Sequence, residues 1–138
     1  MKIQCSRSIL LLSAILGFGG TVVAADAPKG NEGFSSSKAT IVDLGPEFPG
    51  TAGLQLRLRV LTIKPGGHIG IHSHKDRPSV VYFVQGTDIV TRDDGTSQTF
   101  HPGATTGEPG TTVHWHKNGG KDDVILVAVD VVKKETPK

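Results

Sequence analysis

Three histidines have the type and spacing of a metal site. His72 and His74 lie two residues apart, so both rings point to the same side of an extended strand. His114 lies in a later predicted strand. Imidazole nitrogens bind transition metals at about 2.0–2.1 Å, and three of them on one side of an ion leave its other side open. That arrangement is typical of a reactive metal centre.

The other histidines have less defined roles. His116 shares a face with His114 in an extended strand, and it is either a fourth ligand or a surface residue beside Trp115. His68 is expected at the rim of a pocket, and His101 on a surface turn. A histidine pair two residues apart also occurs on the polar face of an exposed strand, so the spacing alone leaves both interpretations open.

Short strands must position these residues. Apolar or β-branched runs recur at strand length, separated by turn residues, with a hairpin signal at Asp94-Gly95 and a reversal expected at 65–67. No segment after the N-terminal apolar run predicts a helix. The runs cover 39–44, 54–63, 69–72, 80–84, 88–92, 97–100, 111–115 and 124–132. Their number and spacing predict an all-β sandwich or jelly-roll barrel in a single domain.

Two of these runs predict what covers each face of the sheet. Leucines alternate with polar residues in 54–60, so we expect the leucines to face the core and Arg57 and Arg59 to be solvated rather than to form an anion site. The run 124–129 is apolar on both faces. It is expected to be covered by the second sheet on one side and by another subunit, in a homodimer, on the other.

The N-terminus has the pattern of an export signal. Lys2 and Arg7 precede an apolar run over 9–18, and small residues lead to a cleavage site expected after Ala25. The run is too short for a spanning helix. We therefore expect a signal peptide at 1–25, a flexible lead-in at 26–38, a barrel at 39–134 and a periplasmic or secreted protein.

Charge and cysteine content exclude several classes of function. The chain has 15 basic and 13 acidic residues, and Lys2 and Arg7 leave with the signal, so the mature chain is neutral. Without a basic stripe, nucleic-acid binding is not expected, and no membrane-binding face appears. The only cysteine, Cys5, also leaves with the signal. Packing or a metal must therefore stabilise the fold, because disulfides cannot.

Glycines and prolines around the histidines complete two motifs that resemble those of the cupin superfamily. The first motif is Gly66, His72, His74, Tyr82 and Gly86, and the second is Gly103, Pro109, His114 and Asn118. The resemblance spans about residues 63–118. It implies a jelly-roll barrel, the double-stranded β-helix, in a superfamily that often dimerises through its sheets. It also implies that His72, His74 and His114 hold a metal.

One position departs from the pattern at the metal site. Ser79 stands where the family has a carboxylate ligand. Three explanations are open: a three-histidine iron site like that of thiol and diketone dioxygenases, a fourth donor such as His116 or His68, or a degenerate site without chemistry. Ser79 is expected to orient a metal-bound water, and Phe83 on the same face to line a substrate pocket with His68 and Ser79.

The donor types and the resemblance together predict the function. Imidazole suits one divalent Fe, Zn, Ni or Cu ion. A metal-dependent enzyme acting on a small molecule is the leading hypothesis, as an oxygenase ahead of an isomerase or lyase because of the three-histidine shell. A non-catalytic barrel that binds a metal or a small ligand is the alternative, and a structural barrel in an envelope assembly is the third.

Overall fold

A computed structural model describes residues 26–135 as nine β-strands without a helix in that range. Nothing within it is a helix long and apolar enough to cross a membrane. The all-β prediction is confirmed. The strands are β1 Glu32–Ser36, β2 Thr40–Asp43, β3 Leu54–Ser73, β4 Ser79–Gln85, β5 Asp88–Arg92, β6 Ser97–Phe100, β7 Thr105–Glu108, β8 Val113–Asn118 and β9 Val124–Lys133.

The strands form one curled antiparallel sheet that is organised around β3. Its order is β6-β5-β8-β3-β9-β4-β7, with β1 and β2 also paired to β3. The first half of β3 pairs with β9, and its second half, from His68 to Ser73, pairs with β8. The sheet therefore folds into two layers that share β3, which is the jelly-roll architecture that the resemblance implied.

The reversal expected at 65–67 is wrong, because β3 runs through these residues without a turn. Gly66 has a positive φ of 77°, and the register between β1 and β3 shifts between Glu32 and Phe34. Pro65 and the glycines thus produce a bulge, which bends a strand without ending it. The bend carries β3 from one layer into the other.

The segment 26–38, expected to be a flexible lead-in, contains β1 and packs on β3. Ile71 donates its N–H to the Pro28 carbonyl at 2.7 Å, and Gly70 donates to Asn31 Oδ1 at 2.9 Å. A Cβ at position 70 would lie 2.6 Å from the Gly30 carbonyl oxygen, so only glycine allows this approach. The polar composition of the segment does not predict a strand, because β1 is held by backbone pairing with β3.

Two further elements bear on the predictions. The hairpin at Asp94-Gly95 is confirmed: β5 pairs with β6, and Gly95 has a φ of 85°. Strand β7 was not expected, because Thr105–Glu108 contains no apolar residue and lies between two Pro-Gly turns. It pairs with β4 along its whole length.

The face prediction for the run 54–60 is also wrong. Leu56 and Leu58 are 38% exposed, whereas the side chains of Arg57 and Arg59 are only 23% and 21% exposed. Arg57 lies opposite Asp130 of β9, whose side chain is 1% exposed and faces the interior. Alternation separates the two faces of a strand but does not tell which one is inside.

The apolar core lies between the two layers of the sheet. Phe83 is 1% exposed and stacks on Phe100, with ring centroids 4.5 Å apart. The remaining buried apolar residues are Leu61, Ile63, Ile69, Val81, Val90, Val124, Leu126 and Ala128.

Candidate metal centre and its cavity

The structure brings the three predicted ligand histidines together. His72 lies at the end of β3 directly opposite His114 of β8, and His74 follows one residue after β3. The Nε2 atom of His114 is 3.1 Å from that of His72 and 3.0 Å from that of His74. His74 and His114 are buried. The three rings therefore present one nitrogen each to the same small space.

Hydrogen bonds on the outer nitrogens orient these rings. His72 Nδ1 lies 2.9 Å from the Gly70 carbonyl oxygen, and His74 Nδ1 lies 3.2 Å from that of Arg77. A carbonyl can only accept, so each Nδ1 carries a proton and donates it. In the neutral ring, Nε2 then keeps its lone pair. This arrangement, an outer N–H on a carbonyl and an inner lone pair, is usual for metal-ligating histidines.

His116 lies beside the cluster with a different partner. Its Nδ1 is 2.7 Å from Asp88 Oδ2, and Asp88 is completely buried. A ligand atom of His116 also lies within 4.8 Å of those of His114 and Glu108. His116 is therefore not a surface residue beside Trp115, and its orientation depends on Asp88. The sequence gives no signal for Asp88, which sits at the start of β5 next to a turn.

Glu108 supplies a carboxylate that sequence patterns do not single out. It ends β7 directly opposite Ser79 of β4, and it accepts a hydrogen bond from the Ser79 hydroxyl at 2.9 Å on Oε2. The same oxygen lies 3.0 Å from His74 Nε2, and Oε1 lies 3.7 Å from His114 Nδ1. The carboxylate that the cupin pattern places at position 79 thus comes from the neighbouring strand. Its place before Pro109, within the second motif, is the available sequence signal.

The donors fit a divalent transition metal. Two nitrogens bound to one ion at 2.0–2.1 Å cannot be more than about 4.2 Å apart, and the distances of 3.0 and 3.1 Å satisfy this limit. A proton on His114 Nε2 could link it to one of the other two rings, whereas a cation would bond to all three lone pairs. Imidazole and carboxylate donors together suit Fe, Mn, Zn, Ni and Cu.

The pKa values favour unprotonated donors at neutral pH. Burial lowers the pKa of His72 to about 4 and that of His114 to about 3, and the charges of the neighbouring histidines add to both effects. Burial alone would raise the pKa of Glu108, but the short contact with His74 and the nearby His114 outweigh it and lower the pKa to about 2. At pH 7, His72 and His114 are therefore neutral and Glu108 is ionised.

The donors open onto a cavity of about 420 Å³. Arg57, Arg59 and Arg77 line its other end, around the buried Asp130. The same lining includes the apolar residues Phe34, Leu61, Ile69, Val81, Leu126 and Ala128. The cavity thus joins a histidine end, which also holds the ionised Glu108, to an arginine end, with fixed positive charges.

Strand register links the two ends of the cavity. Glu108, Ser79, Asp130 and Arg57 are successive partners across β7, β4, β9 and β3. Residues directly opposite one another in a sheet project from the same face. These four side chains therefore form one polar row across the wall of the cavity, with the carboxylate of the histidine end at one extremity and a guanidinium at the other.

The remaining predicted site residues have varied positions. Ser79 lines the cavity, but its hydroxyl bonds to Glu108. Phe83 and His68 do not line it: Phe83 is in the core below, and His68 lies beyond the bulge, opposite Lys117 and Glu32. His101 is exposed on a turn, as expected. The pocket roles expected for Phe83 and His68 are therefore not retained.

Comparisons with known proteins agree with this architecture. The solved structures similar to this chain include the cupin domain of Cnp3 from Schizosaccharomyces pombe, with 17% identity over 64% of this chain and 71% of that one, and a TM-score of 0.53. A predicted oxalate decarboxylase from Thermotoga maritima has 15% identity over 69% and 92%, with a TM-score of 0.51. Oxalate oxidase in complex with the substrate analogue glycolate has 22% identity over 75% and 53%, with a TM-score of 0.51.

The chain is an all-β jelly roll with a cluster of histidines and a carboxylate inside it. The family model of the cupin domain matches residues 59–130, which include His72, His74, Glu108 and His114. The chain therefore belongs to the cupin family. No curated protein matches the chain significantly.

Proposed function

We propose that the protein is a metal-dependent enzyme that acts on a small molecule bound in the cavity. The convergence of the three Nε2 atoms and Glu108 at one end of the cavity carries this proposal. His72, His74, His114 and Glu108 would hold one divalent transition metal, and His116 would stand beside them. A bound metal would supply Lewis-acid or redox chemistry at an open coordination position.

The residues around the cluster have separate tasks in this proposal. The carbonyls of Gly70 and Arg77 fix the tautomers of two ligand rings, and the Ser79 hydroxyl holds Glu108 against them. The apolar walls exclude water from the substrate and leave room for a small molecule. No side-chain nucleophile with an activating base is required.

Glu108 changes the argument about reaction type. The three-histidine shell expected from the sequence favoured an oxygenase over a lyase or an isomerase. With Glu108 beside the histidines, the donor set no longer favours an oxygenase. Two solved neighbours on this fold are named as an oxalate oxidase and a predicted oxalate decarboxylase, so the names include both an oxidation and a decarboxylation. Oxygen uptake by the iron-loaded protein with thiols, diketones and small carboxylic acids separates the oxygenase from the others.

Metal analysis of the purified protein tests the proposal. We expect about one transition-metal ion per chain, and a metal affinity about 10- to 100-fold weaker in Glu108→Gln, because the variant keeps the shape and removes the charge. Glu47→Gln, on the exposed loop before β3, is the matched control. A protein that takes up no metal after reconstitution with Fe, Mn, Zn, Ni or Cu would refute the proposal. A protein that binds metal but has no turnover would indicate the non-catalytic binding barrel.

We also propose that the outer face of β3, β9 and β4 binds a second copy of the chain. Val80, Val129 and Leu58 are partners across these strands, and so are Tyr82, Val127 and Val60. Several of them are exposed, and Val80 is 59% exposed. The two rows contain no charge, so a symmetric contact between two copies would bury apolar surface without bringing like charges together.

The oligomeric state tests this interface. We expect a dimer by light scattering and a monomer for Val80→Glu, whose charge would be buried in the contact. Thr96→Glu, which adds the same charge on the exposed turn between β5 and β6, is the control and should remain a dimer. A wild-type monomer at micromolar concentration would exclude the dimer.

Export remains part of the proposal, because residues 1–25 lie outside the described range. Mass spectrometry of the protein from a host that recognises such signals should show a mature N-terminus at Asp26. A full-length chain retained in the cytoplasm would contradict it.

A further inference from the structure

The arginine end of the cavity has more positive charge than Asp130 neutralises, and more N–H donors than make hydrogen bonds within the described part of the chain. Four hydrogen bonds connect its three guanidinium groups to Asp130: two from Arg57, at 2.9 and 2.8 Å, one from Arg59, at 3.1 Å, and one from Arg77, at 3.2 Å. Each guanidinium has five N–H donors. Arg77 also donates to the Ser73 carbonyl at 3.5 Å. Asp130 therefore neutralises one of three positive charges, and most of the N–H donors make no hydrogen bond within residues 26–135.

One of these donors is buried without a partner. The Nε atom of Arg59 is inaccessible to solvent and makes no hydrogen bond to any residue in the described range. An unsatisfied buried donor is costly, and the cost is larger for a charged group. Burial and the neighbouring charge of Arg57 lower the pKa of Arg59, so the like charges repel each other within this cluster.

The whole cavity has the same excess of positive charge. Lys29 joins the three arginines in its wall, and the acidic residues there are Asp130 and Glu108. Glu108 faces the histidines at the opposite end. A divalent metal at that end would raise the positive charge further. A neutral or cationic small molecule gains nothing from such a field, whereas an anion is attracted into it.

We propose that the cavity binds a small carboxylic acid, whose carboxylate pairs with Arg59 and Arg77 beside Asp130 and whose apolar part lies against the wall toward the histidines. This inference names the substrate class for the proposed function, and it rests on that proposal only for the reaction. Asp130 shows that the cluster accepts a carboxylate in the forked geometry that arginine favours. The apolar residues in the cavity lining account for the remainder of the ligand.

Binding of benzoate and of its neutral isostere benzamide to the metal-free protein tests the inference by calorimetry. Without metal, any preference for the acid must come from the protein. We expect benzoate to bind and benzamide to bind at least about tenfold more weakly, since each charge-assisted hydrogen bond contributes about that factor or more. Inorganic phosphate should bind more weakly than benzoate. Equal binding of acid and amide, or tighter binding of phosphate, would overturn the inference.

Two substitutions at the arginine end have opposite expected effects. Arg59→Gln removes one charge but leaves Asp130 with two arginines, and we expect benzoate affinity to fall about 10- to 100-fold. Asp130→Asn removes the internal competitor, and affinity should rise. Lys64→Gln on the same strand as Arg59, exposed and outside the cavity, is the control and should change nothing. Unchanged affinity in Arg59→Gln would overturn the inference.

Stability and metal content separate the possible failures. If Asp130→Asn does not fold, Arg59→Lys, which keeps the charge and loses the fork, should still weaken benzoate binding. Should benzoate bind only to the metal-loaded protein, with Arg59→Gln unaffected, the metal and not the arginines would hold the acid, and the proposed function would stand alone. Should the metal-free protein bind benzoate but take up no metal, the inference would stand and the proposed function would fail.

Discussion

The two ends of the cavity contain basic side chains in different charge states. At the histidine end, burial keeps His72 and His114 neutral, so they present lone pairs. At the arginine end, Asp130 holds three guanidinium groups that stay charged. Lone pairs attract a cation, and unpaired positive charge attracts an anion. The difference shows how one small barrel can prepare neighbouring positions for a metal and for an acid.

The partners of each end explain why the two states coexist. The outer nitrogens of His72 and His74 donate hydrogen bonds to carbonyl oxygens, so no anion is needed on that side of these two rings. The guanidinium groups cannot lose their protons, and the buried carboxylate of Asp130 offsets their repulsion. Arg77 contributes to both ends, through its carbonyl to His74 and its guanidinium to Asp130, so substitutions of other residues test one end at a time.

The largest expected effect is loss of the metal from the histidine end. His114 is in contact with both other ligand rings, so His114→Ala should reduce metal content from about one ion per chain to none detectable by elemental analysis. Benzoate binding to the metal-free protein should persist, because the arginines are intact. His101→Ala, on an exposed turn, should keep its metal. Full metal content in His114→Ala would show that the cluster is not the binding site.

The next effect is on stability and comes from the arginine end. Asp130→Asn leaves three guanidinium groups without their shared counter-charge, and breaking a buried ion pair in this way costs about 3 kcal/mol of unfolding free energy. The side chains of the arginines are about a quarter exposed, which limits the cost. Urea unfolding of the metal-free protein measures it. Asp123→Asn, whose ion pair with Lys64 lies on the surface, should cost little.

The sequence predicts the residues of the histidine end but not those of the arginine end. The histidines were predicted because their spacing fixes a shared side, and a metal requires several donors on one side. Arg57 and Arg59 were assigned to the wrong face, because alternation with leucine fits either orientation of a strand. Their orientation depends on Asp130, which is distant along the chain and buried only when β9 pairs with β3.

The missed elements have a similar cause. Strand β7 and Glu108 have no apolar pattern, and their place depends on pairing with β4. The bulge that replaces the turn at 65–67 depends on β1, which the composition of its segment conceals. Local patterns therefore predicted the strands with apolar faces and the motif residues, whereas the polar partners required the tertiary structure.

A pH titration sharpens the comparison, because only the histidine end should respond between pH 7 and 4. Unfolded histidine has a pKa near 6.5, and burial lowers the pKa of His72 to about 4 and that of His114 to about 3. Between these values the unfolded state binds more protons, so the unfolding free energy of the metal-free protein should fall as pH falls from about 6.5 toward 3.

A variant identifies the source of this slope. His72→Gln should have a shallower fall than the wild type in urea unfolding between pH 6.5 and 4, and His101→Ala should have the same fall. Asp130 should add its own loss only at lower pH: burial opposes the shift, but its bonds to arginine lower its pKa below the usual value. An identical slope in His72→Gln would show that this ring does not carry the pH dependence.

The smallest expected effect is at Ser79, which lies between the two ends in the polar row. Its hydroxyl donates to Glu108 and lies 3.2 Å from His74 Nδ1. Ser79→Ala removes one hydrogen bond to an ionised carboxylate, so metal affinity should weaken about tenfold, as for other groups that orient a ligand. Metal titration measures this, with Ser73→Ala, an exposed serine, as control.

The same substitution decides how Ser79 acts. If it positions Glu108, then Ser79→Ala should have little further effect on metal affinity in a Glu108→Gln background, because the carboxylate that it orients is already absent. If it instead contacts the metal-bound water, as the sequence suggested, the two losses should add. Benzoate binding to the metal-free protein should be unchanged in either case, since the arginines remain on Asp130. The coupling between Ser79 and Glu108 thus distinguishes a residue that positions the carboxylate from one that acts on the metal-bound water directly.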